Sequence, residues 1–460
     1  MKRTKIVCTI GPSSSTTATL VKMIKAGMNV CRLNFSHGTY AQHLKLMRAV
    51  RAAAKKTGEP VALLQDLSGP KIRVGELGDG VTLTRGATAV FSCDTKPRKN
   101  TIPVQLLSLY KDVKKGDRML LDDGLLEVEV THVKGKEITA IVRVGGLLKS
   151  HKGLNVPSAR LSIDTITPKD KKDLQFGLKN GVDIVSLSFV RSAADVHQLR
   201  ALVKRGLPKG ARMPLLVAKI EMHEAVEDLD AIIESVDAVM VARGDLALEI
   251  DSAQVPIIQK TIIKKAIEQN RAVIVATEML GSMVTNPRPT RAEISDVANA
   301  VIDHTDATML SGESASGKYP VEAVSIMGRI IAATEDSVFD DYVFDATHPL
   351  PHHEELGAVS SLLARVTTIS AIMVDKSAAH LAPMIRRFRP ELPIIVSVTD
   401  AAQARQLNLY WGVVPRVFPG KNESQAMQRF LRTHKLVKKG ASVILFSLVQ
   451  GAPEVREIKL

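Results

Sequence analysis

Short runs of Val, Ile, Leu, Ala and Cys recur along this chain, and between them lie longer stretches whose apolar residues return every three or four positions. The first pattern predicts strands buried on both faces, and the second predicts amphipathic helices packed over them. KIVCTIG, MNVCRLNFSHG and VALLQDLSGPKIR read as the first strands, with TTATLVKMIKAG and HLKLMRAVRAAAKKTG as the helices between them. From about Val74 to Leu161 the texture changes to two-residue alternation, broken by turns such as Asp122-Asp123-Gly124 and Lys134-Gly135-Lys136. This predicts a small inserted all-β domain. After Asp164 the helix–strand alternation resumes, with strands in VDIVSLSFV, PLLVAKIE, VDAVMVARGD, AVIVATEML and DATMLSGE. Three strands before the insertion and five after it make eight, which argues for a (β/α)8 TIM barrel rather than an open sheet.

Further on, ISAIMV, LPIIVSV, VVPRVF and ASVILFSLV alternate with helices and predict a separate α/β domain of about 110 residues. The expected division is a barrel from 1–73 and 162–340, an inserted β-barrel domain over 74–161, a linker over 341–356 and a C-terminal α/β domain over 357–460. The linker region carries His348, His352 and His353, but its prolines break any helical register, so it reads as a solvated connection rather than a metal site.

Composition narrows the function classes. The 62 Lys and Arg against 48 Asp and Glu leave a net charge of +14. These cations are scattered through VKKGDR, KDKK, RRFR and KLVKK, with no long run and no interleaved aromatics. They point to a basic surface handling anionic metabolites rather than to nucleic acid. Three cysteines, Cys8, Cys31 and Cys93, show no C-x-x-C spacing and fit reduced thiols in a cytoplasmic protein. The apolar run at the start is too short for a signal peptide, and no stretch approaches the ~18 apolar residues of a membrane span.

In a barrel of this kind the chemistry sits at the C-terminal strand ends. Polar residues gather there along the sequence. Strand two ends in Arg32, Asn34 and Ser36, strand three in Asp66, with Lys71 and Arg73 just beyond. Strand four carries Ser186 and Ser188, strand five Lys219 and Glu221, strand six Arg243 and Asp245, strand seven Thr277, and strand eight Ser311 and Glu313. So many charges at one mouth imply a bound ligand. Glu221 and Asp245 are hard oxygen donors suited to Mg²⁺ or Mn²⁺. Arg32, Arg73 and Lys219 suit a phosphoryl group, and Gly244 opens a helix start whose amides face an anion. Together they suggest electrostatic catalysis of phosphoryl transfer. The stretch SGESASGKYP also holds G-x-x-x-x-G-K, but Tyr319 stands where a phosphate-binding P-loop needs Ser or Thr, so that match reads as coincidence.

MNVCRLNFSHG, LLVAKIE, VDAVMVARGDLALEI, VIVATEML and above all PTRAEISDVANAVIDHTDATMLSGES closely resemble pyruvate kinase. The resemblance extends over essentially the whole chain and is weakest in the last domain. It implies transfer of the phosphoryl group of phosphoenolpyruvate to ADP, giving pyruvate and ATP, as in glycolysis. It also implies Mg²⁺ on Glu221 and Asp245, Lys219 beside the phosphoryl in flight, and Arg32 on the phosphate of phosphoenolpyruvate. The amides of Gly244 and Asp245, with Thr277, would hold the carboxylate. Thr277 and Ser311, through ordered water, would protonate the enolate. Asn34, His37, Arg73 and Lys152 resemble nucleotide contacts, with the inserted domain as a lid. A homotetramer follows from the resemblance alone.

Departures from the family pattern carry their own expectations. Potassium-requiring members read DTKGPEIR where this chain reads DLSGPKIR, so Lys71 stands in place of their Glu. Its ammonium can replace the ion otherwise held near Asn34, Ser36, Asp66 and the Leu67 carbonyl, which implies activity without K⁺. The stretch KSAAHLA replaces the hydroxyl-rich TESGRTA-like loop that binds a sugar phosphate, so activation by fructose 1,6-bisphosphate should be weak or absent. His304 replaces a common Gly at the end of strand eight far from the chemistry. Glu278 replaces a common Gln, and strand alternation would turn it away from Thr277. On the residues alone, a Mg²⁺-dependent barrel lyase acting on a pyruvate-like enolate and a basic nucleic-acid-binding barrel stay open.

Overall fold

Eight parallel strands close into a barrel in sequence order in this computed structural model, which describes residues 2–157, 159–342, 355–366, 368–418, 420 and 422–460. They are β1 (Lys5–Thr9), β2 (Val30–Asn34), β3 (Ala62–Leu67), β4 (Ile184–Leu187), β5 (Leu215–Ile220), β6 (Ala238–Ala242), β7 (Ala272–Ala276) and β8 (Ala307–Leu310). Alternate residues of each strand go to different interiors. Val30, Leu64, Ile184, Val217, Met240, Ile274 and Met309 fill the barrel, while Cys31, Leu63, Val185, Ala218, Val239, Val275 and Leu310 pack beneath the outer helices. Moving two residues on from Val30, Leu64, Ile184 and Val217 gives Arg32, Asp66, Ser186 and Lys219. The register that fills the core therefore also sets the polar layer at its mouth.

Local signals start the outer helices. Thr39, Thr167 and Thr290 cap helices Tyr40–Thr57, Pro168–Lys179 and Arg291–Ile302, each in a reciprocal capping box. The stretch HEAVEDLDAIIES, read from sequence as one helix, forms two, His223–Glu227 and Leu229–Ser235. The break falls at Asp228, whose Oδ2 accepts the Ala193 amide of the neighbouring helix at 2.9 Å.

Between Val81 and Asn155 the chain forms a six-stranded sheet and a two-stranded ladder around one apolar core. The turn Asp122-Asp123-Gly124 is left-handed at all three positions. The expected linker and its three histidines lie outside the described residues, except that 341–342 precede them and Glu355 already opens a helix.

The last domain is a five-stranded sheet ordered β11-β10-β9-β12-β13, with β9 Ile369–Val374, β10 Ile394–Ser397, β11 Val413–Arg416, β12 Ser442–Val449 and β13 Ala452–Lys459. The sequence pattern yields only the first four. β13 is an antiparallel edge strand reached through a tight turn at Gln450 and Gly451, and its exposed, charge-rich face hides it from a hydrophobic reading.

A buried ion cluster joins this domain to the barrel. Asp306, just before β8, accepts the amides of Val273 at 3.1 Å and Trp411 at 3.0 Å. The guanidiniums of Arg386 and Arg389, both fully buried, approach it at 3.2 and 3.3 Å. Burial alone would raise the Asp306 pKa, but the two cations outweigh it and hold the group below its ordinary value. Arg389 also donates to the carbonyl of His304 at 2.5 Å. His304 has φ 64, the conformation its usual glycine would favour, and its ring packs edge-on against Tyr342. Removing one partner from such a cluster strands buried charge, so Asp306→Asn should lower stability by about 3–5 kcal/mol. The check is the urea midpoint, with Arg212→Ala, which breaks the exposed pair with Asp400, as a control that leaves it nearly unmoved.

Candidate active site

At the barrel mouth a carboxylate sits between two cations. Arg32 donates from Nε to Asp66 Oδ2 at 2.8 Å and from Nη1 to Thr9 Oγ1 at 2.9 Å. Asp66 Oδ1 accepts from Ser186 Oγ at 2.6 Å. Lys219 Nζ lies 3.9 Å from Asp66 Oδ2, donates to Ser188 Oγ at 2.7 Å, and stands 3.1 Å from Glu221 Oε2. Burial opposes charge on Lys219, yet Asp66 and Glu221 more than offset it, so its pKa is raised and the group is an ammonium.

Glu221 is fully buried, and burial pushes its pKa up to about 7 despite the nearby lysine. Its Oε1 accepts the Phe189 amide at 2.6 Å. Its Oε2, although close to Lys219, has no hydrogen bond of acceptable geometry. An orphaned carboxylate oxygen with a raised pKa, beside a second carboxylate, suits a hard divalent cation. Asp245 is that second group. It lies in the first turn of helix Arg243–Glu249 and is close enough to raise the Glu221 pKa further. Lys71 Nζ stands 3.8 Å from Asp245 Oδ1 and 3.8 Å from Asp123 Oδ1 of the inserted domain, bridging the two.

Gly244, Asp245, Thr277, Ser311 and Lys71 line one open cleft of about 1180 Å³. β7 ends at Ala276, and both Thr277 and Glu278 are left-handed, with φ 71 and 53. The argument that strand alternation separates these two residues therefore fails, because neither is in a strand. A β-branched residue at positive φ is strained, on the order of 1–3 kcal/mol, and persists only when held by its surroundings. Arg243 holds it. The guanidinium donates to the carbonyls of Ala276 at 3.1 Å and Thr277 at 2.7 Å and forms a two-pronged pair with Asp296. Arg243 thus braces the loop instead of facing the cleft as a free cation. The Gly244 amide already donates to Thr277 Oγ1 at 2.9 Å, so an anion seeking that amide must replace the hydroxyl. The Ser311 amide is held at 2.7 Å by Glu313.

The remaining sequence-predicted residues gather on the side facing the inserted domain. His37 has a lowered pKa, first from burial and then from Arg73, Lys71 and Arg32, which places all three cations in its field. Arg73 donates to the His151 carbonyl at 2.9 Å, and Lys152 Nζ pairs with Asp122 at 2.7 Å. The residues of the expected monovalent-cation pocket hydrogen-bond among themselves and their neighbours, with Ser36 Oγ donating to Ser68 Oγ at 3.2 Å. Asn34 Oδ1 accepts the Ser36 amide, the Leu67 carbonyl accepts Ser188 Oγ, and Asp66 is bound as above. Lys71 makes no ion pair with this pocket among the described residues; its carboxylate neighbours are Asp123 and Asp245. Asp122 and Asp123 were legible in the sequence only as turn residues. In SGESASGKYP, the amides of Ala315, Ser316, Gly317 and Lys318 all donate to backbone carbonyls, so no phosphate cradle exists there.

Comparison with known proteins agrees with this fold. The family model described as "Pyruvate kinase, barrel domain" matches residues 1–324, and "Pyruvate kinase, alpha/beta domain" matches residues 356–454. The chain is 42% identical to a pyruvate kinase of Geobacillus stearothermophilus over 93% of its own length and 73% of the relative's. It is 44% identical to one of Agrobacterium vitis over 91% and 88%. A crystal structure of a pyruvate kinase from Cryptosporidium parvum superposes with a TM-score of 0.92 at 31% identity, covering 100% of this chain and 96% of that one. With both family models matched in order and two-fifths of the residues shared with such enzymes, the chain belongs to the pyruvate kinase family.

Proposed function

We propose that this chain performs the family's reaction, joining phosphoenolpyruvate and ADP to pyruvate and ATP, with Lys219 as the central catalytic group. The observation that carries the reading is the charged Lys219 ammonium, fixed by Ser188 and flanked by Asp66 and Glu221 at the strand ends. This reading displaces the barrel-lyase alternative, which has no use for a phosphate acceptor. Arg32, aligned by Asp66 and Thr9, grips the phosphate of phosphoenolpyruvate. The amides of Gly244 and Asp245 and the Thr277 hydroxyl hold its carboxylate. Glu221 and Asp245 would hold Mg²⁺ or Mn²⁺, which when bound supplies positive charge to the phosphoryl oxygens.

An oxygen of the ADP β-phosphate forms the new bond to phosphorus while the bond to the enol oxygen breaks. Lys219 stabilises the charge spread over the phosphoryl in flight. The electron pair stays on the enolate, and C3 then takes a proton by way of water held by Thr277 and Ser311, giving the methyl group of pyruvate. Asn34, His37, Arg73 and Lys152 serve the nucleotide, and the segment 74–161 acts as the lid over it.

Members of this family generally require Mg²⁺ and K⁺. We infer that this chain works without K⁺, because Lys71 brings a positive charge to the same mouth. The C-terminal loop supports the loss of sugar-phosphate control. Ser377, its remaining hydroxyl, is bound to Asp375 and to the Leu448 amide. The exposed apolar residues Ile294 and Phe339 beside a groove on the outer helices are in keeping with a homotetramer. No described helix is long and apolar enough to cross a membrane. Three buried free cysteines suit the cytoplasmic placement.

Lys219→Ala should reduce turnover by about 10³-fold while phosphoenolpyruvate still protects the protein in thermal denaturation. A variant that kept near-normal pyruvate formation would remove Lys219 from the chemistry. Steady-state rates with and without K⁺ should agree within about twofold, and Lys71→Glu should make the rate depend on K⁺. A wild-type rate that needs K⁺ sinks the role given to Lys71. Added fructose 1,6-bisphosphate should leave the phosphoenolpyruvate saturation curve in place. A leftward shift of several-fold would show that the altered loop still binds it.

A further inference from the structure

Glu313 is 2% exposed and is not among the residues lining the cleft. Its two carboxylate oxygens are used separately. Oε1 accepts the Leu280 amide at 3.1 Å, and Oε2 accepts the Ser311 amide at 2.7 Å. Leu280 belongs to the loop after β7, three residues beyond Thr277, and Ser311 follows β8 directly. The ladder between these two strands ends at the Val275–Thr308 pair. Past that pair, Glu313 joins the two segments with two hydrogen bonds. They act where the backbone is least regular, next to left-handed Thr277 and Glu278 and to Ser311 with φ −107 and ψ −98. Arg243 secures the near end of the strained loop at the Thr277 carbonyl, and Glu313 secures the far end.

We propose that Glu313 is a positioning residue for enolate protonation, setting the separation of Thr277 and Ser311 by tying their loops together. This rests on the reading that those two hydroxyls hold the water that protonates C3. The chemistry of the tie demands a carboxylate. Two amide donors need two acceptors, and a glutamine side chain offers one acceptor and turns its NH₂ toward the other amide. The loop would then relax, and the hydroxyls would lose the alignment that a proton transfer needs, while the phosphate and metal groups at the ends of β2 and β5 and in the helix after β6 stay in place.

The test uses the full-length enzyme and two reactions. One is pyruvate formation from phosphoenolpyruvate. The other is deuterium uptake at C3 of pyruvate in D₂O with Mg²⁺ and ATP, which reports proton transfer without net phosphoryl transfer. Glu313→Gln is expected to lower both kcat and C3 exchange by roughly 10–100-fold, to raise the KM for phosphoenolpyruvate by a smaller factor because Thr277 also faces its carboxylate, and to raise the solvent isotope effect on kcat. Glu313→Asp keeps both acceptors on a shorter arm. It should recover part of the exchange, and it carries the test if the glutamine variant does not fold. Exchange that stays at the wild-type level in a folded Glu313 variant, or a rate loss confined to KM, overturns the positioning role. Thr277→Ala and Ser311→Ala separate the two ideas. If both leave exchange intact, the protonation reading fails and takes this proposal with it. If they abolish exchange while Glu313→Gln does not, only the proposal fails.

Discussion

Two cations can be held side by side at the mouth of the barrel only because Asp66 stands between them. Arg32 and Lys219 both face its Oδ2, and Ser186 occupies the other oxygen. Burial on its own would favour a neutral Asp66, but Lys219 and Arg32 reverse that and hold its pKa below the ordinary value. The arrangement is mutual. Without the carboxylate, a guanidinium and an ammonium would repel each other in a site largely removed from water, and both would turn outward. With it, they point their remaining donors to one place with little freedom to reorganise, which is the condition under which fixed charges stabilise a transferring phosphoryl. Glu221 brings a second carboxylate to this group, and its Oε2 lies beside the Lys219 ammonium without a hydrogen bond.

The fold supplies this placement through one simple rule. A strand buried on both faces sends every second residue inward, and at the C-terminal end the inward position emerges from the apolar layers into the mouth. Leu64 and Asp66, or Val217 and Lys219, are consecutive steps of the same row. The rule stops where the strands stop. Beyond Ala276 and Leu310 the chain must turn, and there the structure relies on individual side chains, Arg243 and Glu313, to fix backbone that no ladder holds. On the proposed reading, precision on the phosphoryl side thus comes from the sheet, and precision on the proton side comes from the buried Glu313 and the partly buried Arg243.

This difference explains what could be read from the sequence. The eight strands and the residues at their ends follow from hydrophobic period and spacing, so Arg32, Asp66, Lys219 and Glu221 were legible together. Thr277 was legible as a residue but not as a left-handed one, since nothing in VIVATEML marks where β7 ends. Arg243 looked like one more cation at the mouth, because the sequence does not reveal that Asp296, 53 residues later, takes it. β13 escaped notice because an edge strand rich in charge has no apolar rhythm, and the break at Asp228 depends on an amide in the preceding helix. The G-x-x-x-x-G-K match is the opposite case. Its spacing was present, and the backbone spends the amides elsewhere.

The inserted domain meets the barrel where Lys71 pairs with its Asp123, a contact that a nucleotide bound as proposed would disturb. Asp122 holds Lys152, and Asp123 shares Lys71 with Asp245. Asp123 and the Lys152 side chain are exposed while Asp122 and Lys71 are partly buried, and ion pairs that involve exposed groups are held weakly in water. The phosphates of a diphosphate carry more charge than either aspartate and present several oxygens at once, so they compete well for the same lysines. Displacing Asp123 from Lys71 leaves that ammonium to Asp245 and to the incoming phosphates, at the place where phosphoryl charge develops. Under the proposed reading, closure of the lid and charging of the site are coupled through Lys71, one of the positions at which this sequence departs from potassium-requiring members of its family.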